Sequence, residues 1–365
     1  MPRASGPHSS QWITDAGNAL VQAASRVRMI MCTTPTNLRA ELDRLGSAWA
    51  RGDHEAPRFS YEPPPDHDGL VGALGELAAF LENEGPLGAV YAGRAREIAA
   101  EARVCSAVGT KELWAAARKR FGRRDHYDDA ADDLARRWLS EPPPRVSEED
   151  APIRSDDEAD EGSLLVRMRA EIGARRLPFR VVVVRDLSSL AATGESVVQV
   201  AAGRSMTRAD VERTVLHEIE GHVLPRCRAA EMSLGIFVIG TQSGADDQEG
   251  RALWLERRAG ALVGGRRREL ASRHVAARTL EAGADFVEAA RLLLSHGASV
   301  PDALRITARV YRGGGLGREI VYLPALLRVE AALAVDPALD GVLGAGRVSV
   351  DAAAVLRPFA SRAGA

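Results

Sequence analysis

Thr214-Val215-Leu216-His217-Glu218-Ile219-Glu220-Gly221-His222-Val223-Leu224 sets two imidazoles and a carboxylate on a largely apolar helical pattern. Paired imidazoles on one helix face can hold a metal ion, and a Glu beside the first is placed to act as a general base. The spacing is one residue longer than usual. Ligands at i and i+4 lie about 40° apart around a 3.6-residue turn, whereas a five-residue separation puts two side chains roughly 140° apart. An ideal α-helix therefore keeps His217 and His222 from facing one ion. They converge if the helix loosens by one residue into a π-type turn, or ends there, and Gly221 is the residue that best tolerates either distortion. The competing reading is an ordinary helix whose histidines are satisfied by carbonyls or water.

A third ligand would separate these readings. Asp246-Asp247-Gln248-Glu249-Gly250-Arg251-Ala252-Leu253-Trp254 reads as the start of a second helix, with acidic residues in its first turn and an apolar face at Leu253 and Leu255. From there Glu249 can return across the first helix and complete a His, His, Glu set with a fourth position left open. The alternative is a solvated helix start without a ligand role.

The two segments together resemble a known family. His217-Glu218-Ile219 with His222, followed by Gln248-Glu249-Gly250, is similar to the bacterial QEGLA-motif proteins, named for modulating flavohemoglobin expression. Their eukaryotic relatives are the microtubule-associated tyrosine carboxypeptidases. The likeness extends upstream to 177–184 and 195–200, downstream to 308–314, 319–323 and 346–348, and to 32–37 near the N-terminus. It implies that His217, His222 and Glu249 bind one zinc ion and that Glu218 activates water. It also implies a gluzincin-like metallopeptidase core and a carboxypeptidase that removes C-terminal residues, aromatic ones among them, from a peptide or protein.

An exopeptidase must recognise a free carboxylate, which the planar guanidinium of Arg does through paired, charge-assisted hydrogen bonds. Arg309, Arg312 and Arg318 are the candidates, the first two on the family-like closing segment and Arg318 beyond the Gly-rich turn; Arg312 comes first because it adjoins Gly313, and Tyr322 joins them as a substrate-binding residue. Two positions depart from the family pattern: Arg251 stands where QEGLA has Leu, and Glu220 where relatives often have Gly. These changes bear on the pocket's packing and charge, and so on the substrate, more than on the reaction type. A regulatory or scaffold protein with a structural or vestigial metal site is the alternative function. Glu218 argues against it, because a structural zinc site has no use for a base beside its first ligand.

Around this centre the chain reads as predominantly helical α+β. Its 365 residues are 45% hydrophobic with few aromatics, and helical periodicity runs through most of the first 145. These form an N-terminal helical bundle, residues 1–145, broken at Pro35 and across Pro57 to Pro65. An acidic linker, 146–162, leads to the catalytic domain, 163–365. There, short β-branched runs at 179–184 and 196–200 read as strands, and Thr207 with Asp210 forms a capping-box start for the active helix. The second strand, 195–201, is a candidate to hold an extended peptide by main-chain hydrogen bonds, or else only stiffens the helix. His54, His67 and His126 read as surface residues, and His274 and His296 as exposed or satisfied in the core.

Lys plus Arg number 48 against 50 Asp plus Glu, which excludes a nucleic-acid or anionic-membrane partner reached through bulk charge. Three widely spaced cysteines read as reduced thiols. With no leader pattern and no run of about 18 apolar residues, a cytoplasmic location is expected.

Overall fold

Alanine-rich helices pack closely because their small side chains keep neighbouring backbones near one another, and the helix Gly85–Ser106 is the extreme case. Tyr91, Ala92, Ala95, Ile98 and Ala102 on it are wholly buried. Arg94 and Glu97 are also buried, though not wholly, and pair with each other at 2.6 Å, while Arg120 from the helix Leu113–Phe121 meets Glu97 at 3.0 Å. The computed structural model describes residues 11–122, 125–142, 152–185, 187 and 189–360, and most of them are helical.

The helices of the first 145 residues do not keep a core to themselves. Leu45, Trp49 and Trp138 share one with Leu253, Leu270, Leu304 and Leu326, and Leu20, Leu81, Tyr91 and Ile98 share another with Ile236, Phe237, Leu343 and Leu356. A smaller third core lies under the active helix, where Leu165, Met168 and Ile172 meet Val198, Val200, Val211 and Val215.

Residues 146–151 of the acidic segment lie outside the described residues. The remainder is built into the fold: β1 (Ile153–Arg154) pairs antiparallel with β5 (Ser205–Met206), and the buried Ser155 hydroxyl donates to the Ala201 carbonyl at 2.6 Å. Some of its acidic residues are spent on neighbours, Asp156 on Arg154 and Glu158 on Arg169.

Three further strands form a sheet in the order β2 (Arg180–Val184), β4 (Val197–Ala201), β3 (Ala191–Thr193), with β2 parallel and β3 antiparallel to β4. This corrects the expectation that 195–201 offers a free edge to a peptide. β4 is hydrogen-bonded on both sides, Gln199 facing Val182 on one and Ala192 on the other. All three residues of β3 border the cleft, and this strand was too short to read in the sequence. His67, expected at the surface, is buried. His274 lies in the core with its Nε2 2.7 Å from Asp132, while its buried Nδ1 has no hydrogen-bond partner among the described residues. No helix among the described residues is long and apolar enough to cross a membrane.

Candidate metal centre

The active helix begins at the expected cap. Thr207 Oγ1 accepts from the Asp210 backbone N–H at 3.1 Å, and Asp210 accepts in return from the Thr207 N–H at 3.3 Å. The helix runs as Arg208–Glu218, widens into a π-turn over Ile219–Val223, and continues without a break as Leu224–Glu231. The π-turn adds the residue that the His217 to His222 spacing needs, and the two Nε2 atoms come to 3.3 Å from each other.

Pro225 is a sequence signal for this distortion. A proline inside an α-helix clashes with the carbonyl four residues back and offers no N–H. In the π-pattern the carbonyl left without a donor is that of Glu220, five residues before Pro225. Arg251 fills the gap, its Nη1 donating to Glu220 O at 3.0 Å while its Nε binds Asp340 at 2.7 Å. The Arg that departs from the family pattern thus bolts the distorted turn to the neighbouring helix.

Gly221 proves necessary for a reason other than flexibility. A Cβ there would stand 2.6 Å from the Ala252 Cβ, so the glycine lets the π-turn touch the helix Gly244–Arg258. Gly250 does the same on the far side of that helix, where a Cβ would lie 2.5 Å from the Ala325 backbone. The first turn of this helix is not solvated. Asp246 and Asp247 are each 2% exposed, Asp246 pairing with Arg120 at 2.9 Å and Asp247 with Arg328 Nε at 2.9 Å. Glu97 accepts from the Ser243 N–H at 2.9 Å, so the N-terminal helices hold the end of the helix that carries Glu249.

Glu249 Oε2 consequently sits 3.7 Å from His217 Nε2 and 3.8 Å from His222 Nε2. Among the described residues, these three form the one group of His, Cys, Asp and Glu side chains able to share a metal ion. Ligands about 2.0–2.1 Å from a tetrahedral zinc stand roughly 3.3 Å apart, so the donors fit that ion with small side-chain adjustments. Burial favours neutral forms, and it pushes His222 down, as a ligand requires. His217 goes the other way: against burial, its hydrogen bonds to Glu249 and Glu256 lift it to about 9, so an ion would have to displace its proton. Against the same burial, His217, His222 and Arg318 hold Glu249 well below the usual carboxylate range, so it stays anionic.

Neighbouring groups orient the set. His217 Nδ1 lies 2.7 Å from Glu256 Oε1, which turns Nε2 towards the shared point, and Arg266 grips Glu256 with two hydrogen bonds of 3.0 and 3.1 Å. Burial works against the Glu256 anion, yet Arg266 and His217 hold its pKa at about 2. Seven residues separate Glu249 from Glu256, two helical turns, and that spacing was a legible sign that both face the active helix. Glu218, 6% exposed, accepts from the Thr193 hydroxyl of β3 at 2.7 Å.

A cleft of about 1760 Å³ opens in front of these residues. Small-molecule pockets measure roughly 300–1,000 Å³, so the space suits a chain rather than a metabolite. Among the described residues, fourteen arginines and eight acidic side chains line it, although the whole chain carries a formal net charge of −2.

Arg309, Arg312, Arg318 and Tyr322 all border this cleft. Arg318 stands nearest the metal set, 3.5 Å from Glu249 Oε1, and shares the Tyr322 hydroxyl with Arg309, each at 3.3 Å. Arg309 is committed to Glu319 at 2.7 Å. Arg312 is 5% exposed, and burial with the charge of Arg309 pushes its pKa down to about 10.

A family model described as microtubule-associated tyrosine carboxypeptidase matches residues 49–363, a span that contains every residue of this site. No curated protein matches the chain.

Proposed function

The chain belongs to the microtubule-associated tyrosine carboxypeptidase family, and from that premise we propose that it is a zinc-dependent, gluzincin-like carboxypeptidase acting on peptide or protein C-termini, aromatic ones among them. The observation that carries this reading is the convergence of His217, His222 and Glu249 beside the carboxylate of Glu218 on the wall of a cleft sized for a chain. Zinc held by those three residues would polarise the scissile carbonyl and acidify the attacking water.

The protein's own groups do the rest. Glu218 takes a proton from the water and passes it to the departing amine, and the Thr193 hydroxyl fixes which way its carboxylate points. Glu256 and Arg266 keep His217 in the tautomer that leaves Nε2 free. Arg318 and Tyr322 form the wall beside Glu249 that the terminal residue of the substrate meets, with Arg309 and Arg312 behind them. Arginines of the cleft that lack a direct acidic partner, Arg226 and Arg347 among them, favour an anionic chain there. A cytoplasmic setting agrees with three free cysteines.

The test joins metal analysis of the purified protein to digestion of a C-terminal peptide library. One zinc per chain is expected, with loss of single C-terminal residues, and turnover at least about a hundredfold lower in Glu218→Gln. Zinc binding without cleavage of any peptide would favour the scaffold alternative. Equal cleavage by wild type and Glu218→Gln would refute the assigned base.

A further inference from the structure

Most arginines of the cleft have an acidic partner. Arg94 pairs with Glu97, Arg120 with Asp246, Arg266 with Glu256, Arg309 with Glu319 and Arg318 with Glu249. Arg347 and Arg226 differ: both line the cleft, both are partly buried, and among the described residues neither guanidinium has a direct hydrogen-bond or ion-pair partner, Glu101 acting on Arg347 and Glu195 on Arg226 only from beyond ion-pair distance. A cation left unpaired while partly removed from water is costly to the fold, unless something that binds there supplies the missing anion.

The backbone of Arg347 is held as a functional group would need to be. Its carbonyl accepts from the Thr241 N–H at 2.9 Å, and its own N–H reaches Phe237 O at 3.4 Å. Glycines permit both approaches, since a Cβ at Gly244 would collide with the Arg347 carbonyl and one at Gly346 with that of Phe237. This junction joins the short helix Ile236–Ile239 to the start of the helix that carries Glu249. The side chain is therefore presented to the cleft from a rigid base shared with a metal-binding element. Burial pushes the guanidinium down to about 10, and the charges of Arg226, Arg94 and Arg318 add to that against the opposing charge of Glu101. These arginines are thus close enough to act on one another, and Arg318 itself touches Glu249.

We propose that Arg347, with Arg226 lining the same cleft, forms a carboxylate-binding subsite for the substrate chain. This deepens the reading of the cleft as a peptide site and rests on it. Five N–H donors in a planar fork match a carboxylate through two parallel hydrogen bonds, and the clamped backbone fixes the point from which the side chain reaches. Two carboxylates on a peptide qualify: the terminal one, and the side chain of an acidic residue preceding it.

The test measures binding rather than turnover, on Glu218→Gln protein loaded with zinc. The probes are a fluorescein-labelled octapeptide of glycine and serine ending in tyrosine as the free acid, the same peptide as its amide, and amides carrying one Glu at each of the three preceding positions. Fluorescence anisotropy should show the free acid, or one Glu-bearing amide, binding at least about tenfold more tightly than the plain amide. The probe that gains identifies which carboxylate is read. Arg347→Met should erase that difference, and Arg347→Lys should restore only part of it because an ammonium cannot form the paired bonds. Zinc content and the melting temperature should match those of the parent, which separates lost recognition from lost folding. Equal binding of all probes, no binding of any, or an unchanged preference in folded Arg347→Met would overturn the subsite. Arg347-dependent binding by a protein whose wild type cleaves nothing would instead retain the subsite and refute the peptidase reading.

Discussion

Replacing Gly221 by Ala tests how the proposed metal centre is built, because the added methyl touches none of the three candidate ligands. Its carbon would lie 2.6 Å from the Ala252 Cβ and 3.4 Å from the Ala252 Cα. Two methyl carbons need roughly 3.5–4.0 Å, so the π-turn and the helix Gly244–Arg258 must part by about 1 Å. Ala252 is wholly buried and has no side-chain torsion with which to yield. The same parting carries Glu249 away from both histidines, and the present 3.7 and 3.8 Å separations become roughly 4.7 Å. Ligand bonds of about 2.1 Å cannot span that distance even in line. Overpacking of this kind destabilises by about 1–3 kcal/mol, and zinc affinity should fall by at least about a hundredfold as the Glu ligand is lost. The assay is competition for zinc against a chelator of known affinity, with thermal unfolding of the metal-free protein beside it. Adding Ala252→Gly to Gly221→Ala removes the methyl on the other side and should recover most of both losses, a coupling that a double-mutant cycle measures. If Gly221→Ala alone bound zinc as tightly as wild type and melted at the same temperature, the contact would not set the ligand geometry and this reasoning would fail.

Glu256→Gln keeps the shape of the group behind His217 but removes its charge, and zinc affinity should drop roughly 10- to 100-fold; an unchanged affinity would mean that Arg266 and Glu256 only fill space. Arg251→Leu restores the family's residue but withdraws the donor from Glu220 O. Urea unfolding should show a loss of about 1–3 kcal/mol, and equal or greater stability would show that water satisfies that carbonyl. Asp132 lies below the usual carboxylate range: burial opposes its charge, but His274 and Arg278 outweigh burial. A depressed folded value means the stabilisation is fully present above the unfolded value of about 3.9 and is lost as pH falls through the folded one. Asp132→Asn should therefore melt lower than wild type at pH 7, by the equivalent of about 1 kcal/mol once solvent screening is discounted. The two curves should draw together below about pH 4, and a gap independent of pH would assign the loss to packing.

Local rules made much of this protein legible in its sequence. The five-residue spacing of His217 and His222 called for a helix that loosens or ends between them if both rings are to face one point, and of the two the structure has the loosened π-turn, over Ile219–Val223. The Thr207 cap, the helix holding Glu249, and the strands at 180–184 and 197–201 also followed from patterns spanning a few residues. Long-range packing decided the rest. Nothing near Ala191 announced a three-residue strand, which exists because β4 supplies its hydrogen bonds, and only that strand brings Thr193 to Glu218. Gly221 could be read as permissive backbone, but Ala252, a neighbour 31 residues away in the chain, makes it necessary. The acidic start of the Glu249 helix resembled a solvated surface until Arg120 and Arg328 covered it. The arginines of the cleft divided in the same way: the candidate Arg309 found Glu319, while Arg347, which the sequence did not single out, has no carboxylate within ion-pair distance and feels Glu101 only from farther off. Whether a charge is paired depends on which elements meet around it, and a single sequence encodes that only through the whole fold.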